Sequence, residues 1–258
     1  MFDTSLSFVT SAAFVFGAAI GSFLNVCIYR LPRHESVAFP ASHCRSCATP
    51  LAWYDNLPLV SYLVRRGRCR FCGTSFSARY FVVELVTALL AVLLVQQFGL
   101  TLTTFGYFVF SAALVVITFI DLDYQIIPDV ISLPGIIVGV VFSLVSPITI
   151  RDSLIGALAG AGILWAVFWG YYFLTHEEGM GGGDVKLLAM IGAFLGWQAI
   201  FFTLFCASFI GAVVGLIVMR IRRADGKMAL PFGPFLSFGA LCYLFFGERL
   251  INWYFGLL

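Results

Sequence analysis

The chain reads as long apolar blocks separated by short polar joints. The first block covers residues 5–29, and a polar, arginine-rich stretch follows over 30–79. From Tyr80 onward apolar blocks return near 80–97, 103–120, 130–148, 153–174, 185–197, 199–219 and 232–254. A helix that crosses a bilayer needs about 20 apolar residues. The pattern therefore predicts an all-α polytopic membrane protein of about eight transmembrane helices with one small polar insert. The blocks 185–197 and 199–219 meet at Gly196-Trp197-Gln198, and seven spans result if the two merge or one is re-entrant. The division expected from this reading is 1–29 as the first transmembrane helix, 30–79 as the insert and 80–258 as the main membrane domain. The first block is longer than a signal-peptide core, follows Asp3 rather than a basic residue, and lacks a small-residue cleavage site. It is expected to be a retained helix.

Composition sharpens this picture. Of 258 residues, 61% are hydrophobic and 11% charged, against about 25% charged in soluble domains. A mean hydropathy of +0.99 excludes a soluble globular enzyme and a disordered chain. No nucleic-acid partner is expected, because the basic residues are few and sit in short clusters. Those clusters are nevertheless informative. They lie in 30–79, at Lys186, and at Arg220, Arg222, Arg223 and Lys227, which eight spans would put on one side. Only Arg151 and Arg249 fall on the other. The positive-inside rule makes the basic side cytoplasmic, with both termini outside. No internal repeat with paired broken helices argues for an inverted-repeat transporter.

Four of the seven cysteines form Cys44-Arg-Ser-Cys47 and Cys69-Arg-Phe-Cys72, with 21 residues between the pairs. Two such pairs fit two knuckles clamping one tetrahedral Zn²⁺. Four thiolates saturate the metal, so the site is expected to be structural rather than catalytic. Two disulfides are the other reading, and a reducing cytoplasm disfavours them. Gly67 and Gly73 flank the second knuckle, where tight turns favour glycine. Cys27, Cys206 and Cys242 lie in apolar blocks and read as small packing residues.

Carboxylates mark a second candidate site. Asp121, Asp123 and Asp129 follow the 103–120 block without a cation among them, and Asp121, nearest the apolar run, is expected to be the most desolvated. Asp129, after Pro128, also suits a helix cap. A glycine run, Gly181-Gly182-Gly183, precedes Asp184 and Lys186. Irregular backbone in a membrane protein is tolerated only when buried in protein or lining a watery cavity, although Asp184 too suits an N-cap. No strand precedes the run and no Gly-Lys-Ser/Thr ends it, so a phosphate loop is rejected. Asp121 and Asp184 fall on the same membrane face. Like charges brought close share a proton, giving one general base and one general acid. Glu84 is the one charge inside a block, four residues past its start. It is either a functional intramembrane acid or a helix-dipole partner.

At these residues the sequence closely resembles the type IV prepilin peptidases, or prepilin leader peptidase/N-methyltransferases, membrane aspartic proteases of the Gly-x-Gly-Asp type. The likeness runs through Gly21-Ser-Phe-Leu-Asn-Val-Cys-Ile-Tyr-Arg-Leu-Pro32, the cysteine tetrad, Phe119-Ile-Asp-Leu-Asp-Tyr-Gln-Ile-Ile-Pro-Asp129, Gly181-Gly-Gly-Asp-Val-Lys186 and Pro231-Phe-Gly-Pro-Phe-Leu236. It implies an enzyme of the bacterial inner membrane that acts on prepilins of type IV pili or on pseudopilins of type II secretion. One activity cuts a short basic leader after a glycine at the cytoplasmic face. The other methylates the new amino terminus, usually Phe, with S-adenosylmethionine. The resemblance assigns catalysis to Asp121 and Asp184, and supporting roles fall to Asp123, Gly181, Gly183, Lys186 and Glu84. It makes 80–258 the protease domain. No strand–glycine turn–helix unit offers an ordinary nucleotide pocket, so the methyl donor is expected at the 30–79 insert, with Gly67 and Arg68 beside it. Two other readings compete. One is a Mg²⁺-dependent transferase acting on a lipid phosphate, with clustered aspartates holding the metal. The other is a transporter with a zinc-bound regulatory loop.

Overall fold

The computed structural model describes residues 4–176, 181–222 and 230–255. Its helices are α1 (Thr4–Arg30), α2 (Val60–Val64), α3 (Arg79–Phe98), α4 (Leu102–Tyr124), α5 (Asp129–Phe142), α6 (Ile150–Thr175), α7 (Gly182–Leu195), α8 (Trp197–Arg222) and α9 (Gly233–Phe255), with no strand among the described residues. Every apolar block read from the sequence contains a helix, although the one read at 130–148 is helical only to Phe142. Among the described residues, five (α1, α3, α4, α6 and α8) are long and apolar enough to cross a membrane. The 14 residues of α5 and of α7 rise only about 21 Å, short of a hydrocarbon core of about 30 Å. Large apolar side chains such as Phe205, Phe209 and Leu216 on α8 stand exposed. That is the surface of an integral membrane protein, whose solvent is lipid.

The chain forms two compact units, Met1–Val116 and Ile117–Leu258. In the first, α1 packs along α3. Gly17 and Gly21 let the backbones meet, since a Cβ on either would stand 2.7 Å from the Cα of Ala88 or Glu84. This is the small-xxx-small spacing of membrane helix pairs. The polar insert is tied to these helices from both ends. Arg30, buried at the end of α1, donates to Ser36 O and Pro40 O at 2.9 and 2.6 Å. Leu59 packs against Ala18 and Ala88, and Asp55 pairs with Arg65.

In the second unit α7 is the core. Every residue from Leu187 to Leu195 is buried, because α5, α6, α8 and α9 all pack on it. A helix apolar on all sides requires such a sheath. Gly156 of α6 and Gly192 of α7 face each other so closely that a Cβ on either would run into the other's carbonyl. Gly196, at φ +81°, ends α7, and α8 starts at the next residue. The two blocks that meet there are thus separate helices.

Two sequence expectations need correction. The 103–120 block extends as helix to Tyr124, so Asp121 and Asp123 sit in the last turn of α4 rather than beyond its end. Asp129 is not a side-chain cap. Pro128 holds the N-cap position, and Asp129 is the first helical residue of α5. Of the charges used to orient the chain, Arg223 and Lys227 lie outside the described residues.

Candidate active site

Asp121 is buried at the C-terminal end of α4, at 5% exposure. Its Oδ2 accepts the backbone N–H of Gly233 at 2.9 Å. Gly233 opens α9, so the carboxylate lies at a helix N-terminus, where free N–H groups and the helix dipole favour negative charge. A side chain at 233 would not fit, because its Cβ would stand 2.7 Å from Asp121 Oδ2.

Asp184 lies in the first turn of α7 and is buried to 9% exposure. Gly181 is the N-cap, and the Asp184 N–H donates to Gly181 O at 3.2 Å. The Asp184 side chain therefore does not cap its helix. It lies instead in the electrostatic field of Asp121. Ile127, in the turn between α4 and α5, touches both surroundings. A Cβ added to Gly183 would be 2.9 Å from Ile127 Cβ, and one added to Gly233 would be 3.4 Å from Ile127 Cδ1. Gly183 is thus a close-approach glycine, whereas Gly182 borders open space and a Cβ on Gly181 would stand at ordinary contact distance, 4.0 Å, from Asp184 Oδ2.

The other expected residues sort by position. Lys186 reaches Asp129 Oδ1 and Oδ2 at 2.7 and 2.8 Å, tying the first turn of α7 to that of α5. Asp123 is exposed on the last turn of α4. Glu84 belongs to the first unit, where its Oε2 accepts the Leu59 N–H at 2.7 Å. It therefore anchors the start of α2 in the insert. Sequence reasoning quoted Gly233 and Ile127 within motifs but gave neither a role at the site. Gly233 had a signal, a glycine followed by Pro234 at the start of an apolar run.

The cysteine tetrad is assembled. The four Sγ atoms lie within 4.8 Å of one another, and none of the described cysteines forms a disulfide. Four sulfurs at about 2.3 Å from a tetrahedral zinc are about 3.8 Å apart, and Cys44 Sγ and Cys72 Sγ are separated by 3.7 Å. The residues present fit the metal. The two knuckles repeat one design: Cys44 N–H donates to Thr49 O and Cys69 N–H to Thr74 O, each at 2.9 Å. Each pair is followed by a residue at positive φ, Ala48 at 55° and Gly73 at 71°. The Thr74 hydroxyl, 3.3 Å from Cys72 Sγ, and the Thr74 N–H lower that thiol to about 6. Thr49 lowers Cys47 in the same way. Both shifts favour the thiolate that a metal needs.

Gly67 and Arg68 help line a partly open cavity of about 560 Å³ bordered by α1, the insert and α3. Gly67 takes φ +66°, and a Cβ there would press to 2.8 Å from the Tyr62 ring. Its need for glycine is conformational and steric together.

Comparison with known proteins follows the same two-part division. Residues 15–98 match the Bacterial Peptidase A24 N-terminal domain, and residues 108–216 match the Type IV leader peptidase family. The prepilin leader peptidase/N-methyltransferase of Aeromonas hydrophila is 38% identical over 269 residues, covering 95% of this chain and 93% of the relative. The chain belongs to this family. The prepilin leader peptidase/N-methyltransferases of Pseudomonas aeruginosa and Legionella pneumophila are each 35% identical, covering 92% and 94% of this chain and 90% and 93% of the relatives. No solved structure matches.

Proposed function

We propose that this chain is a prepilin leader peptidase and N-methyltransferase in which Asp121 and Asp184 carry out the cleavage. The observation that carries the reading is the pair of buried carboxylates from α4 and α7, Asp121 held by the first N–H of α9 and Asp184 near enough to feel its charge. The Gly233 N–H favours the ionised form of Asp121, which makes Asp121 the base and leaves the shared proton on Asp184. Asp121 takes a proton from water as its oxygen bonds to the scissile carbonyl carbon, and Asp184 gives its proton to the carbonyl oxygen. On collapse Asp184 takes back a proton from one hydroxyl as the C=O bond re-forms, the C–N bond breaks, and the proton held by Asp121 goes to the departing amine. Gly183 and Gly233 supply the clearance, and Lys186 with Asp129 holds the first turn of α7 in place.

The substrates are prepilins or pseudopilins in the bacterial inner membrane, cut at the cytoplasmic face after a glycine. Eight spans with both termini outside, and a division into 1–29, 30–79 and 80–258, belong to the same reading. Zinc bound by Cys44, Cys47, Cys69 and Cys72 would cross-link the insert and has no part in cleavage. The methyl donor is S-adenosylmethionine, which supplies an electrophilic methyl group to the freed amine. Its site is the cavity of the first unit, whose volume lies in the range of about 300–1,000 Å³ usual for ligand pockets. Gly67 and Arg68 are in its wall beside the second knuckle. Among the described residues, the tetrad is the one group of three or more ligands close enough to hold a metal. Asp121, Asp123 and Asp129 make no such cluster, so no observation favours the Mg²⁺-dependent transferase.

The test is cleavage of a prepilin by purified Asp121→Asn and Asp184→Asn variants. Each is expected to lose at least about 10²–10⁴-fold in rate, and a chelator is not expected to stop the wild-type cut. A variant that cuts at the wild-type rate would refute the assignment of that aspartate.

A further inference from the structure

Asn25 stands in the wall of the first unit's cavity at 4% exposure. Its Nδ2 donates to Gly21 O at 3.3 Å and, across the helix pair, to Tyr80 O at 3.0 Å. Both partners are carbonyls, and only the amino end of an amide can face two carbonyls. The network therefore fixes which way round the amide sits. Oδ1 is left buried with no hydrogen-bond partner. Buried polar groups are paired in the great majority of cases, and one that is not calls for an explanation. This one is an acceptor in a cavity wall, so the missing partner is a ligand N–H or O–H.

The surroundings narrow the donor. Tyr62 and Phe76 bring aromatic side chains to the same cavity, which suit a flat heteroaromatic ring, while the Arg45 guanidinium lies over the rings of Tyr29 and Tyr80. A peptide's terminal ammonium is charged near neutral pH and is better matched by a carboxylate, which the cavity offers in Glu35. A neutral exocyclic amine suits a neutral amide oxygen, as in the pairing of asparagine with adenine.

We propose that Asn25 Oδ1 accepts a hydrogen bond from the 6-amino group of the methyl donor's adenine, making Asn25 the residue that selects an adenosyl donor. This rests on the placing of the donor in the cavity, so the test must separate the two. The probes are S-adenosylhomocysteine and S-inosylhomocysteine, which differ by a 6-amino against a 6-oxo group, titrated calorimetrically into the full-length protein in detergent. Wild type is expected to bind the inosyl compound at least about tenfold more weakly, because two acceptors then face each other. Asn25→Leu, close in volume, is expected to weaken adenosyl binding about tenfold and to bring the two affinities together. Equal affinities in wild type would overturn the proposal, with no variant needed. So would an unchanged ratio in Asn25→Leu, including the case where the Michaelis constant for the peptide rises instead. Tyr62→Leu is the control. If it weakens donor binding while Asn25→Leu keeps the ratio, the cavity stands and the Asn25 assignment falls. If neither variant changes donor binding, both fall.

Discussion

Asp121 and Asp184 were visible in the sequence because a carboxylate beside an apolar run is costly and needs a reason. What holds Asp121 was not visible, since a backbone N–H leaves no mark in the residue types. The Gly233 contact yields a sharp prediction. Gly233→Ala puts a methyl 2.7 Å from Asp121 Oδ2, and kcat for leader cleavage should fall more than about tenfold while the helical circular dichroism is retained, since about 1.4 kcal/mol of lost transition-state stabilisation is enough. Lys186 and Asp129 give a contrast. Their ion pair is partly exposed, and such pairs contribute about 0–1 kcal/mol. Each single neutralisation, Lys186→Gln or Asp129→Asn, should slow cleavage only a few-fold. The charge-swapped double variant, Asp129→Lys with Lys186→Asp, should recover part of that loss in the same assay.

Helix existence was legible from hydropathy, and helix ends were not. Hydropathy reports where apolar side chains stop, so the run ending at Ile120 looked like the end of the helix. Backbone hydrogen bonds instead carry α4 through the polar turn to Tyr124. That turn is what brings Asp121 under α9. The separation of α7 from α8 rests on one glycine at positive φ, a feature that the sequence marks only as a possible break. Packing between helices is where stability concentrates. Gly192→Leu should prevent α6 and α7 from approaching, cost at least about 3 kcal/mol by overpacking, and abolish accumulation of folded protein, read by detergent-phase size exclusion. In the insert, the metal spacing was legible because paired cysteines carry little other meaning. The matching Thr49 and Thr74 contacts needed the structure, since a hydroxyl two residues on is an ordinary neighbour. Replacing all four cysteines by serine should take bound zinc from one per chain to none, by elemental analysis, and should lower the protease resistance of 30–79.

Across the whole molecule the scarce charges do the sorting. Twenty-two of 28 fall in four stretches that eight spans would put on one side, and both candidate aspartates belong to those stretches. The two compact units divide within α4, whereas the shift in composition falls at residue 80. A composition shift marks where polarity changes, whereas compactness follows helix pairing, and α3 pairs with α1. The two proposed chemistries fall one to each unit: cleavage at Asp121 and Asp184, methylation at the cavity that Asn25 and Gly67 help line. The decisive measurement is the mass of a prepilin's amino terminus after incubation with wild type, Asp121→Asn and Asp184→Asn, each with and without S-adenosylmethionine. Wild type is expected to remove the leader in both conditions and to add one methyl group only with the donor, and either variant is expected to leave the leader intact. Leader removal by either asparagine variant at the wild-type rate would contradict the catalytic assignment of that aspartate.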